Sequence, residues 1–156
     1  MKKTNAARLL DAKGIGYELA EYEVDENDLS ATKLAVKIGQ NVEQIFKTLV
    51  LRGDKTGVFV AVIPGSSEVD LKKAAKISGN KNCAMVHQKE LLGLTGYIRG
   101  GCSPLGMKKP YPIFIQESCL LFNPIFISAG QRGLQLKINP EDLIKVVGAV
   151  VGDLAE

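Results

Sequence analysis

The stretch that decides the fold is Phe46-Lys47-Thr48-Leu49-Val50-Leu51-Arg52, Gly53-Asp54-Lys55-Thr56-Gly57, Val58-Phe59-Val60-Ala61-Val62-Ile63. Two runs rich in β-branched and apolar residues flank a five-residue Gly/Asp turn, which is the pattern of a β-hairpin. Both runs are apolar on both faces, so the hairpin is expected at the centre of a sheet, covered above and below. Pro64-Gly65 ends it.

Downstream, residues 70–78 form a short basic helix carrying Lys72, Lys73 and Lys76, closed by Gly79. A strand over 83–86 and a helix over 88–94 follow. A strand over 97–100 is expected to feed the loop Gly101-Cys102-Ser103-Pro104-Leu105-Gly106. Residues 112–116, 125–129 and 134–138 read as strands, the last two joined by Gly130-Gln131-Arg132-Gly133. Pro140 opens a terminal helix over 141–147, and the tail from Gly148 is expected to fray.

Upstream, Thr4 caps a helix that runs through Lys13 and ends at Gly14. Residues 17–24 alternate as a half-buried strand does. The acids Glu21, Glu23, Asp25, Glu26 and Asp28 give a solvated turn, and Ser30 caps a helix over 31–38 closed by Gly39. The sum is an α+β domain of six or seven short strands with helices outside. Strands mostly follow strands, which argues against a doubly wound parallel sheet.

The chain has 156 residues, enough for one core, so residues 1–156 are read as a single domain. Apolar residues at 46% and charged residues at 24% exclude intrinsic disorder and a disulfide-stapled miniprotein. Aromatics at 6%, with no tryptophan, argue against a stacking platform for single-stranded nucleic acid. A net charge of +3 permits contact with a polyanion without demanding it. Cys83, Cys102 and Cys119 have no regular spacing and read as reduced thiols of a cytoplasmic protein. The start lacks the apolar core of a signal peptide, and no apolar run approaches the ~20 residues of a membrane span.

Several kinds of site are weakly supported. The cysteines and the lone His87 form no close pair, so no metal is expected. His87 sits where a helix starts, which suits a cap better than the base of a triad. Gly100-Gly101-Cys102-Ser103-Pro104-Leu105-Gly106 has neither a Walker lysine nor GxGxxG spacing. It is either a tight turn or a loop whose backbone N–H groups line a site for an oxyanion. Lys47, inside an apolar strand, either snorkels to water or presents an ammonium to a carboxylate, phosphate or polarised carbonyl. Ser128 is a turn residue or a pocket hydroxyl. Arg132, between two glycines, suits phosphate and solvent equally.

Taken in order along nearly the whole chain, three segments resemble the YbaK/ProX family of aminoacyl-tRNA deacylases. They are Phe46-Lys47-Thr48-Leu49-Val50, the run from Thr95-Gly96-Tyr97 to Gly106, and Ile127-Ser128-Ala129-Gly130-Gln131-Arg132-Gly133 with Pro140-Glu141-Asp142-Leu143 beyond. Within that family the chain is most similar to the Cys-tRNA(Pro) deacylase branch. The resemblance implies a mixed, barrel-like sheet with helices around it, one open pocket, no cofactor, and mischarged tRNA and prolyl-tRNA synthetase as partners. Cysteine is close to proline in size, a pocket rejects a near-isostere poorly, and so a second site edits. In this branch the cysteine thiol is held to attack its own ester, leaving the enzyme to position the substrate and stabilise negative charge.

Carried over by position, Lys47 meets the terminal adenosine and the ester, and the Gly101 backbone orients the carbonyl, with Gly100 beside it. Ser128 and Thr48 line the amino-acid pocket and Tyr22 borders it. Where many relatives have an aspartate this chain has Gln135. Cys102 is not read as a nucleophile. Lys72, Lys73, Lys76, Lys81, Lys108, Lys109 and Arg132 are candidates for acceptor-stem phosphates. The alternatives are a deacylase of Ala-tRNA(Pro) or another mischarged tRNA, and a synthetase-associated module that binds tRNA without cleaving it.

Overall fold

The computed structural model describes residues 3–25, 27 and 29–156, so Glu26 and Asp28 of the expected acidic turn lie outside it. The central hairpin forms as read. Strand β2 (Phe46–Gly53) pairs antiparallel with β3 (Gly57–Pro64), from Phe46 opposite Pro64 to Gly53 opposite Gly57. β4 (Cys83–Met85) adds antiparallel to β2, and β5 (Ile113–Gln116) adds parallel to β3. The sheet ends with β8 (Val150–Gly152), parallel to β5, giving the order β4-β2-β3-β5-β8. A second sheet, β1-β7-β6, is antiparallel and contains β1 (Glu18–Glu21), β6 (Ile125–Gln131) and β7 (Leu134–Ile138).

Burial explains the hairpin's composition. Val60 and Val62 face a core shared with Ile125, Ile127, Leu134, Leu136 and Ile138 of the second sheet. Phe59, Ala61 and Ile63 point the other way, into a core closed by Ala74 and Leu154. The Phe59 and Phe114 rings meet edge to face there, with centroids 5.7 Å apart. Each fully buried Val, Ile or Phe removes enough apolar surface to contribute about 1.5–3 kcal/mol.

Five α-helices lie outside the sheets among the described residues: α1 (Asn5–Ala12), α2 (Ala31–Ile38), α3 (Leu71–Ser78), α4 (Gln88–Thr95) and α5 (Pro140–Val147). Their starts are set by side-chain caps. The Thr4 and Ser30 hydroxyls and the Asp70 carboxylate accept from N–H groups of their own first turns.

The α+β class therefore stands, with four differences in detail. The strands split into two sheets, and neither closes into a barrel. β1 spans only Glu18–Glu21, because beyond Glu21 the chain leaves β7 with a last bond from the Tyr22 N–H to the Gly133 carbonyl. The strand expected over 97–100 is absent: Tyr97 instead turns its hydroxyl to the Leu105 carbonyl, and no strand forms a ladder with this stretch. The tail does not fray. Leu154 is fully buried, and its N–H and that of Ala155 donate to Gln116 Oε1 at 2.7 and 2.9 Å.

Candidate active site

A parallel bridge between Ile45 and Phe126 sets the start of β2 beside β6, joining the two sheets at one point. Where they diverge, a cleft of about 890 Å³ opens. Its walls come from α2, from β2, from the segment after β1, and from the turn before Cys102. Lys47 and Thr48 of β2 line it, as do Tyr22, Gly100, Ser128 and Gln135.

Lys47 is half-buried and faces no carboxylate within ion-pair distance among the described residues. A cation held at a cleft wall with no internal anion is available to an anionic or polarised ligand. Thr48 Oγ1 and Gln135 Oε1 are buried and unpartnered. Ser128 is 8% exposed, and its Oγ accepts from the Gly130 N–H at 3.1 Å, which leaves the hydroxyl hydrogen free to donate.

The glycine loop is built differently from expectation. The Gly101 N–H donates to the Ile98 carbonyl at 2.9 Å, and Gly100 has φ +84°. A hydrogen bond closing residues 98–101 with positive φ at the third position makes a type II turn, which glycine permits there. The Gly101 amide therefore does not itself face a ligand, and Gly101 does not line the cleft. Gly100 and Cys102 do line it, and their N–H groups make no hydrogen bond to another described backbone group.

Gly101 instead presses on the β6–β7 turn, where a Cβ would come within 3.1 Å of Gln131 Cα and 3.2 Å of Arg132 N. Arg132 does not line the cleft either. Its Nε donates to the Arg99 carbonyl at 2.8 Å and so braces the turn from behind.

The groups that suggest conventional hydrolysis stand elsewhere or are inert. His87 is the N-cap of α4, where its N–H donates to Glu90, and it does not line the cleft. Cys102 lines the cleft, but burial pushes its thiol up to about 12, so it stays protonated at neutral pH. Among the described residues no group of three His, Cys, Asp or Glu side chains could hold a metal ion. No helix among them is long and apolar enough to cross a membrane.

The lysines expected to meet phosphate, Lys72, Lys73, Lys76, Lys81, Lys108 and Lys109, do not line the cleft. Lys73 is engaged by Asp153 at 2.9 Å. The cations at the rim are Lys33, Lys37 and Arg99. Lys33 and Lys37 were legible only as an i, i+4 pair, which places both on one face of α2.

Residues 25–146 match the family model of the aminoacyl-tRNA editing domain. A proposed Cys-tRNA(Pro)/Cys-tRNA(Cys) deacylase of Enterococcus faecalis, EbsC, is 46% identical over 99% of this chain and 93% of its own length. The crystal structure of a proposed trans-editing enzyme for prolyl-tRNA synthetase superposes with a TM-score of 0.85 at 28% identity, covering 99% of each chain. The hypothetical protein APE2540 shares the fold, with a TM-score of 0.89 at 23% identity over 98% of this chain and 100% of its own.

Proposed function

The chain belongs to the aminoacyl-tRNA editing family, and from that premise we propose that it is a trans-editing deacylase that removes cysteine from mischarged Cys-tRNA(Pro). One observation carries the reading of its chemistry. The cleft is lined by Lys47, by the hydroxyls of Thr48 and Ser128 and by a backbone turn, while the lone histidine lies outside it and the one thiol on its wall is held protonated; of its carboxylates, Asp25 accepts from the Asn27 N–H and Glu68 is exposed. A site without a histidine or an activated thiol suits a substrate that brings its nucleophile with it. The cysteine thiol, three bonds from the ester carbonyl carbon, attacks that carbon to close a four-membered thiolactone and expels the ribose oxygen, which takes up the thiol proton and leaves as the hydroxyl of free tRNA.

The protein's contribution is then position and charge. Lys47 neutralises the phosphate or ester oxygens at the terminal adenosine. The N–H groups of Gly100 and Cys102 receive the oxyanion, while Gly101 holds the loop against the β6–β7 turn. Ser128, Thr48 and Tyr22 bound the amino acid. Lys33, Lys37 and Arg99 at the rim face the acceptor end. The similarity to a proposed trans-editing enzyme for prolyl-tRNA synthetase supports that synthetase as the partner supplying the mischarged tRNA.

The test is deacylation of Cys-tRNA(Pro), Ser-tRNA(Pro) and Ala-tRNA(Pro) side by side, with Lys47→Ala as control. Fast loss of cysteine, slow loss of serine and alanine, and at least a tenfold fall in Lys47→Ala are expected. Serine matches cysteine in shape but lacks the thiol, so rapid cleavage of Ser-tRNA(Pro) refutes the substrate-assisted chemistry. Preference for alanine refutes the substrate.

A further inference from the structure

We propose that the open edge of β2 is a base subsite that reads the Watson–Crick edge of adenine, a reading that rests on the deacylase function above for the identity of the nucleotide. The ladder fixes which backbone groups of β2 face the cleft. The Val60 N–H donates to the Pro112 carbonyl at 2.8 Å, toward β5, so Val60 and its register partner Val50 turn their N–H and C=O groups away from each other. The Val50 carbonyl accordingly accepts from the Val86 N–H at 3.1 Å, on the far side of β2. By the same alternation the N–H and C=O of Thr48 face that side as well.

That side of β2 is uncovered between Thr48 and Val50. β4 pairs with β2 only from Leu51 to Gly53, and the bridge to β6 is made by Ile45. The return bond from the Val50 N–H to the Val86 carbonyl is not made, at the point where the chain turns toward His87, the N-cap of α4. Val50 is 2% exposed, and a buried N–H without a partner is rare in a folded chain. Thr48 and Val50 both line the cleft. The cleft wall therefore presents a carbonyl followed, two residues on, by an N–H.

The occupant follows from that order. Adenine carries a donor, its N6 amine, beside an acceptor, N1, and these complement the Thr48 carbonyl and the Val50 N–H. Guanine, hypoxanthine and uracil carry an acceptor beside a donor, which is the reverse. Cytosine has the order of adenine on a smaller ring. Bases at single-stranded RNA ends are read on this edge while their faces are covered by side chains. Leu49, Met85, Val86 and Leu91 line the cleft around the open edge. Alternation puts Leu49 and Met85 on one face of the sheet and Val86 on the other, so a flat ring that extends the plane of β2 meets apolar side chains on both faces.

The experiment measures single-turnover cleavage of cysteinyl-tRNA(Pro) whose last nucleoside is adenosine, purine riboside or inosine. Purine riboside lacks the N6 donor, and inosine reverses the order at both positions. The rate at subsaturating protein should fall about tenfold for purine riboside, the equivalent of one good hydrogen bond, and about 100-fold for inosine. In parallel, isotope-labelled protein is titrated with 5′-AMP and 5′-IMP and followed by NMR. The Val50 amide proton should shift downfield and exchange more slowly with 5′-AMP, and 5′-IMP should leave it unmoved.

Cleavage of either altered tRNA at the adenosine rate overturns the assignment. So does a Val50 amide that ignores 5′-AMP or answers both nucleotides alike. If the adenosine-ended cysteinyl-tRNA(Pro) stays intact while the Val50 amide still answers 5′-AMP alone, the deacylase function falls and the adenine site stands.

Discussion

Gly101→Ala tests whether the packing of the loop against the β6–β7 turn sets the site. The added Cβ would lie 3.1 Å from Gln131 Cα, and 3.2 Å from both Arg132 N and Gln131 C. Carbon contacts relax near 3.5–4.0 Å, so loop and turn must separate by roughly half an ångström. The obstructing atoms are backbone and cannot rotate away. Overpacking of this kind costs about 1–3 kcal/mol. The same displacement stretches the bond from Arg132 Nε to the Arg99 carbonyl from 2.8 Å to about 3.3 Å and weakens it, at a further ~1 kcal/mol.

A total of about 2–4 kcal/mol lowers Tm by about 4–16 °C in a chain of this size. A 1 Å misplacement costs about 100-fold in rate, so half of that predicts about a tenfold slower single turnover on Cys-tRNA(Pro) at a temperature where the variant remains folded. Wild-type turnover with a lowered Tm would remove the loop from the site. A wild-type Tm would refute the contact argument.

Other expectations follow from single contacts. Asn80 Oδ1 accepts from the Lys55 and Thr56 N–H groups at 2.9 Å each, and its Nδ2 donates to Thr56 Oγ1 and Ser78 Oγ. Asn80→Ala should therefore destabilise by about 2–4 kcal/mol in urea titration without changing cleavage rate. Leu154→Ala should cost about 2–5 kcal/mol, where a frayed tail would cost nothing measurable. Burial raises Cys102 to about 12 and Cys119 to about 11, so iodoacetamide at pH 8 should label native Cys83 first and all three thiols only after unfolding. The sign of the linkage is also fixed. Both thiols bind their protons more tightly folded than unfolded, so their contribution is complete below the unfolded pKa of 9.0. It is lost as pH rises through about 11 and about 12, and Tm should fall across that window.

What was legible depended on whether local chemistry or a distant partner decided the outcome. Ser30 and Gly39 bound α2 by a cap and a left-handed residue, both local, and the helix spans the residues between them. The hairpin was equally plain, because burial on both faces leaves a continuous apolar run. β8 was not: three residues after a helix carry no periodicity, and only the free edge of β5 makes them a strand. Tyr97-Ile98 has strand composition but lacks a partner strand.

In the site, Lys47 stood out as a charge in an apolar run. The glycines marked the loop, but glycine identity does not reveal which way a peptide faces, and the amide expected to meet the ester turned back to Ile98. Gln135 was marked by the resemblance and not by its own pattern: Leu-Gln-Leu-Lys-Ile alternates as an ordinary solvent-facing strand does, and only the cleft shows that this face is covered.

The peptide unit between Arg99 and Gly100 has one further consequence. Its two polar ends point in opposite directions, as in any trans peptide. The carbonyl end accepts from a guanidinium nitrogen of Arg132. A cationic donor on that oxygen draws electron density along the amide and makes the N–H at the far end more acidic, and so a stronger donor. Arg132 stands behind the wall yet acts electronically through a single bond of backbone. On the proposed chemistry, an arginine that stands off the cleft wall thus sets the donor strength of the N–H that receives the oxyanion.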